Sequence, residues 1–160
     1  MDKQAYNSAR DALKTGDYEA AEQDFKTAFN STHQHIGRSN DGRYNSLQSY
    51  YGLTLVLNSK ENGLLLCREA ASNEQLNGDV FLHLACAELA NSNRKRAIEV
   101  IQLGLRIDPD HARLKRACVK IECRKKCCIS FLPREHFLNR FLGRLRRRSG
   151  QELTAKSLLY

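Results

Sequence analysis

The side chains best suited to chemistry are cysteines and histidines in the C-terminal half. The group comprises Cys118, Cys123, Cys127 and Cys128, with His111 and His136 on either side. Zinc takes four thiolate or imidazole ligands, which usually arrive as two close pairs. No Cys-x-x-Cys pair occurs here, and on a helix Cys118 and Cys123 would point about 140° apart at ~100° per residue. We therefore expect packed thiols, which behave as small apolar groups, and no metal site.

Other catalytic or ligand-binding patterns are missing from the sequence. His33 and His35 stand one residue apart in a polar stretch, and an exposed pair of this kind is usually solvated. There is no phosphate-binding glycine loop, His-Glu-x-x-His pair or Gly-x-Ser-x-Gly elbow. The sequence therefore predicts a protein that is not an enzyme and that has no cofactor.

Composition and length suit one domain or a few stacked repeats. The chain has 160 residues, 41% of them apolar, which argues against disorder. We see no apolar N-terminal signal and no apolar run of the ~18 residues that a membrane helix needs. Six cysteines in such a chain read as reduced thiols, so we expect a cytoplasmic protein.

The positive charge is concentrated near one end of the sequence. The net charge is +8, yet residues 1–80 hold 8 Lys and Arg against 11 Asp and Glu, whereas residues 112–148 hold 13 against 2. Such asymmetry suggests a localised anion-binding surface. Its candidate residues are Arg140, Arg144, Arg146, Arg147 and Arg148. The alternative is that these arginines are simply solvated on an exposed helix face.

Apolar residues recur at helical spacing on both sides of short polar turns. Around Gly16 and Asp17, the pattern comprises Ala5, Ala9, Ala12 and Leu13, then Ala21, Phe25, Ala28 and Phe29. This predicts a helical hairpin, with Gly16 ending the first helix and Asp17 capping the second. A second such hairpin spans residues 79–110, with its turn at 91–93, and a weaker copy with its turn at 58–60 lies between them.

The copies repeat with a period of about 34 residues. Gly63, Cys67 and Ala70 precede Ala97, Ile101 and Gly104 by 34 residues each. A helix–turn–helix unit at this period is typical of a helical repeat array.

Over residues 2–111 the chain resembles tetratricopeptide repeat (TPR) proteins. The matching positions in the first copy are Ala9, Ala12, Gly16, Tyr18, Ala21, Phe25 and Ala28, and in the third Leu84, Ala85, Ala97 and Pro109. The resemblance implies an all-α fold, a right-handed superhelix of antiparallel helix hairpins. We therefore expect three hairpins over 1–111, interrupted by a long loop at 31–43.

The remaining residues are expected to cap this array. A helix over 112–126 would bury Leu114, Ala117, Cys118 and Ile121 against the third hairpin. A second basic helix, Pro133–Arg148, would complete the capping pair over 112–148. Residues 149–160 would form a tail, either mobile or docked as a short helix.

The resemblance also implies where a partner would bind. In TPR proteins the first helices of the hairpins line a concave groove that holds a peptide or partner helix. The corresponding residues here are Tyr6, Asn7, Arg10, Tyr50, Leu53, His83, Arg113, Arg116 and Lys120. One TPR subset holds a C-terminal carboxylate with a basic clamp, but those positions include Asp79, of the wrong sign. We therefore do not expect that chaperone co-receptor role.

Three functions remain open at this point. The first is a non-catalytic scaffold or adaptor that binds a protein segment in the groove. The second is binding of nucleic acid or an anionic membrane through the basic C-terminal helices. The third is a small chaperone of the kind that guards secretion substrates. Apolar repeat ends also leave a homo-oligomer open.

Salt dependence tests the second function directly. If the basic helices bind phosphates, binding to anionic liposomes or RNA should weaken steeply as salt rises, because bound counterions are released. Sedimentation with liposomes and RNA at two salt concentrations measures this. Absent or salt-insensitive binding to both would remove the second function.

Overall fold

The predicted helices are present throughout the part of the chain that the structure describes. The structure is a computed structural model, and it describes residues 3–36, 42–122 and 154–159. The helices are α1 (Lys3–Thr15), α2 (Tyr18–Ile36), α3 (Gly42–Leu57), α4 (Gly63–Ser72), α5 (Gly78–Ala90), α6 (Arg94–Ile107), α7 (Ala112–Glu122) and α8 (Ala155–Leu159). Those three segments contain no strand, which confirms the prediction of an all-α protein.

Three helix pairs are joined by turns of the same geometry. The pairs are α1 with α2, α3 with α4, and α5 with α6, and the left-handed residue of each turn is Gly16 (φ 87°), Ser59 (φ 59°) or Ser92 (φ 62°). The next amide donates back to a carbonyl five residues earlier, from Asp17 to Ala12 at 3.0 Å, Lys60 to Leu55 at 2.9 Å and Asn93 to Glu88 at 2.8 Å. This is the Schellman motif. The repeated sequence pattern thus corresponds to a repeated turn.

Packing follows chain order. Each helix from α1 to α7 packs on the next, and α5 also packs on both α3 and α7. The predicted apolar positions form the core, and those that are buried include Ala9, Leu13, Ala21, Phe25, Ala28, Leu84, Ala85, Ala97, Ile101, Leu114, Ala117 and Ile121. Side chains of the first helices α1, α3, α5 and α7 line one common cavity, and we call the side of the molecule that contains it the inner face.

Two glycines set the distance between α3 and α4. A Cβ added to Gly52 would lie 2.8 Å from the carbonyl oxygen of Gly63, and one added to Gly63 would lie 2.5 Å from that of Gly52. Both distances are too short for real carbon–oxygen contacts. In the second copy of the repeat, whose apolar sequence pattern is the weakest, close backbone contact therefore holds α3 and α4 together.

The predicted loop at 31–43 is shorter than expected. Helix α2 continues through Ile36 and α3 starts at Gly42. The hydroxyls of Ser31 and Thr32 donate to the Ala28 carbonyl at 2.9 and 2.7 Å, so these polar residues stay within the helix. Residues 37–41 lie outside the described segments.

Several predicted features also lie outside the described residues. They are the helix Pro133–Arg148 with its arginines Arg140, Arg144, Arg146, Arg147 and Arg148, and the thiols of Cys123, Cys127 and Cys128. Among the described helices, none has the length and apolarity needed to cross a bilayer.

Replacing Ser92 with glycine should stabilise the fold. A non-glycine residue in the left-handed region destabilises the folded state by about 1–2 kcal/mol. Glycine avoids this cost, but it loses more conformational entropy on folding, which offsets about 0.5–1 kcal/mol of the gain. We expect Ser92→Gly to raise the free energy of unfolding in urea by about 0.5–1 kcal/mol.

The control is Ser72→Gly, because Ser72 lies in α4 with helical backbone. It should lower the free energy of unfolding by about 0.5 kcal/mol. If Ser92→Gly destabilised the protein as Ser72→Gly does, the left-handed turn would be wrong.

Candidate functional site

The inner face contains a cavity to which five helices contribute. Its volume is about 270 Å³, and it is lined by Arg10, Leu13, Lys14, Tyr50, His83, Arg113 and Leu159. These residues come from α1, α3, α5, α7 and the C-terminal helix α8. Stacking of successive helix pairs thus brings together side chains that are distant in sequence. We call this the inner cavity.

Aromatic rings form one wall of the inner cavity. Tyr50 stacks on Phe25 with ring centroids 5.5 Å apart, and Tyr6 meets Tyr50 edge-on at 5.8 Å. The His83 ring lies 4.2 Å from Tyr50 on the other side. Burial raises the pKa of the Tyr50 hydroxyl, with a further contribution from Asp79. Tyr50 is therefore a buried part of the core, contacted by three rings, that also lines the cavity.

His83 is a fully buried, neutral histidine. Its Nδ1 lies 2.9 Å from the Ser49 hydroxyl, which itself donates to the Ser46 carbonyl at 2.7 Å. Both bonds form together only when Nδ1 carries the ring proton, so Nε2 is an acceptor. Within the described residues Nε2 has no hydrogen-bond partner. Burial lowers the pKa of His83 to about 3.

Cationic side chains surround the cavity. The Arg10 guanidinium lies 5.7 and 5.8 Å from the ring centroids of Tyr6 and Tyr50, within cation–π range. It forms no ion pair within the described residues. Arg113 is paired with Asp79 at 2.8 Å, and this pair ties the start of α7 to the start of α5. Arg10 is therefore the cation whose charge remains available to an incoming group.

The short helix α8 docks against α5 and α7 beside this cavity. Ala155, Leu158 and Leu159 are buried. Two cations of α7 bind its carbonyl oxygens, since Lys120 donates to Ser157 at 2.7 Å and Arg113 donates to Leu159 at 3.3 Å. The last carbonyls of a helix have no partner within it and carry partial negative charge. The predicted tail is thus a docked helix at its described end.

Docking of α8 is close to balanced in free energy. Burying two leucines contributes about 4 kcal/mol, and the two hydrogen bonds from charged donors add about 3 kcal/mol. Ordering the backbone of five residues costs about 5–10 kcal/mol. A helix this short is not stable alone, so α8 is the described helix that can most easily leave its position.

Most predicted groove residues do lie on the inner face. Arg10, Tyr50, His83 and Arg113 line the inner cavity, Tyr6 contacts Tyr50, and Lys120 holds α8. Asn7 and Arg116 are exposed. Leu53 is a correction, because it is 0% exposed and packs in the core. His83 is also 0% exposed, so it forms the base of the cavity and offers little surface.

Sequence reasoning missed two lining residues, Lys14 and Leu159. Lys14 is the last basic residue before the first turn, and Leu159 belongs to a leucine pair. The pair was a visible signal, since consecutive leucines near the end of a polar stretch need an apolar surface to cover them.

The described thiols have the character expected of packed cysteines. Cys67 and Cys86 are buried free thiols, and Cys118 is half-buried. Burial raises the pKa of Cys86 to about 12, so this thiol is protonated and unreactive. Within the described segments no three His, Cys, Asp or Glu side chains are grouped so as to hold a metal ion.

Comparison of the chain with protein-family models, with curated proteins and with solved structures gives no match. The inner face must therefore be interpreted from its own geometry.

Acidification should test the neutral state of His83. In the unfolded chain a histidine titrates near pH 6.5, whereas native His83 stays neutral down to a pKa of about 3. The unfolded state therefore binds the extra proton, and stability falls as the pH drops below about 6.5.

Between pH 7 and 5 we expect the wild type to lose about 2 kcal/mol more unfolding free energy than His83→Gln. Urea denaturation at both pH values measures this, and glutamine keeps a partner for Ser49. Parallel losses in the two proteins would show that His83 is not buried in its neutral form.

Proposed function

We propose that this protein is a non-catalytic protein-binding module, a scaffold or adaptor that holds a segment of a partner on its inner face. The observation that carries the proposal is the way α8 is bound. The inner face buries the apolar side chains of α8, and its residues Arg113 and Lys120 donate hydrogen bonds to main-chain carbonyls of α8. These are features of any short helical segment, so the surface that holds α8 is suited to hold a segment of another protein.

The inner cavity lies at the small end of the size range of ligand pockets. Pockets for whole small ligands usually measure about 300–1,000 Å³, and this cavity measures about 270 Å³. It fits side chains that project from a longer segment lying across the inner face. The exposed Asn7 and Arg116 would extend the contact beyond the cavity on α1 and α7.

Two further features support the proposal. The turn geometry repeats in three helix pairs, which agrees with the resemblance to tetratricopeptide repeats, a class that binds peptides in this way. Cys67 and Cys86 are free thiols, which agrees with a reducing compartment such as the cytoplasm.

Selection from a random peptide library tests this function. Short peptides displayed on phage are selected on the wild-type protein and then measured against two variants. Lys120→Glu changes the cation that holds the Ser157 carbonyl, whereas Lys115→Glu makes the same charge change at a residue whose amine pairs with Asp110. Because Lys120 also holds α8, both changes are made in the Leu158→Ser/Leu159→Ser protein, which lacks the apolar contacts of α8. In that background we expect the selected peptides to bind Lys120→Glu about tenfold more weakly, a loss of about 1.4 kcal/mol.

Binding to Lys115→Glu should equal binding to the background protein. Failure to enrich any peptide, or equal affinity for both variants, would refute binding on the inner face.

A further inference from the structure

The segment 154–159 occupies part of the surface that the proposed function assigns to a partner. Leu159 lines the inner cavity together with Arg10, Tyr50 and His83. Its carbonyl oxygen accepts a hydrogen bond from Arg113 of α7, and the carbonyl oxygen of Ser157 accepts one from Lys120 of α7. A partner segment held by the same donors cannot bind while α8 is in place.

The chemistry of α8 indicates what the inner face selects. Its two consecutive leucines are both buried, and Lys156 lies 4.6 Å from the ring centroid of Tyr18 on α2. The segment contains no acidic residue, although Arg10 lines the same cavity as Leu159 and forms no ion pair within the described residues. The leucines of α8 thus fill the apolar part of the site, but α8 supplies no acidic side chain to pair with Arg10.

We propose that α8 is a built-in competitor for the inner face, and that the partner it excludes is a short helical segment with two consecutive leucines followed by an acidic residue. This inference rests on the proposed function and specifies its partner and its regulation. The leucines would replace Leu158 and Leu159, and the acidic group would reach Arg10. That additional ion pair gives the partner the higher affinity needed to displace a segment that is tethered to the site.

The proposal is tested with a labelled peptide that has the sequence of residues 153–160. The full chain is prepared as wild type and as Leu158→Ser/Leu159→Ser, which removes the apolar contacts of α8. Fluorescence anisotropy should show the peptide binding the double variant about tenfold more tightly than the wild type, because the internal competitor is released. Adding Lys120→Glu to the double variant should abolish that gain, and adding Lys115→Glu should preserve it.

A separate measurement tests whether an acidic residue after the two leucines raises the affinity of the peptide. A second peptide carries Asp directly after the two leucines. It should bind the double variant about fivefold more tightly than the first peptide, and this advantage should shrink as salt rises and disappear in an added Arg10→Gln background. Equal affinity of the two peptides would overturn the assignment of an acidic partner.

A measurement on the wild type covers the case in which the double variant does not fold. A library-selected peptide is added and amide hydrogen exchange is followed by mass spectrometry. The amides of 155–159 should exchange faster as the peptide displaces α8, whereas those of α5 and α7 should not. Unchanged or slower exchange at 155–159 would overturn competition by α8.

Failure of this inference is distinguishable from failure of the proposed function. Library peptides that bind through Lys120 without affecting exchange of α8 would overturn the inference and leave the proposed function standing. If no peptide of any kind binds, both are wrong.

Discussion

The rest of the structure depends on the enclosure of α5. This helix packs against α3, α4, α6, α7 and α8, and nearly all of its residues are buried, including the polar His83 and Glu88. Burying such groups is costly unless each is paired. Ser49 supplies a partner for Nδ1 of His83, which stays neutral, and Arg68 and Asn93 supply partners for Glu88. A well-formed α5 therefore fixes its neighbouring helices, and with them the inner cavity.

Enclosure of α5 explains what the sequence could and could not predict. Helices and turns are visible because Ala, Leu and Phe recur at helical spacing between Gly- and Asn-containing turns. Which face of α5 is open is not visible, since a helix that is buried all round has no polar stripe. The same holds for α3, most of whose residues are also buried. The sequence pattern therefore predicts that Leu53 on α3 and His83 on α5 are accessible, although the neighbouring helices bury both completely.

Short segments are the other place where sequence reasoning failed. The polar composition predicts a loop at residues 31–43, yet the hydroxyls of Ser31 and Thr32 donate to the Ala28 carbonyl and these residues continue α2. The end of the chain was left open between a mobile tail and a docked helix. Five residues contain too few turns to show periodicity, so the leucine pair indicates an apolar contact but does not show that the segment is helical or where it docks.

The inner cavity combines tightly packed walls with one weakly held helix. Rigid rings behind it and the Arg113–Asp79 pair beside it come from the packing of consecutive helix pairs. The helix beside it, α8, is held by apolar burial and two hydrogen bonds from charged donors, which together nearly balance the entropy cost of ordering its backbone. A rigid surface covered by a weakly held segment is suited to exchange that segment for one from a partner.

The most direct test of this picture is the position of α8 in the free protein. Nuclear Overhauser effects from the methyl groups of Leu158 and Leu159 in a methyl-labelled sample report their neighbours. Contacts to side chains of α5 and α7, with methyl shifts displaced by nearby rings, are the predicted result. Leucine methyl groups at random-coil shifts, without such contacts, would contradict it.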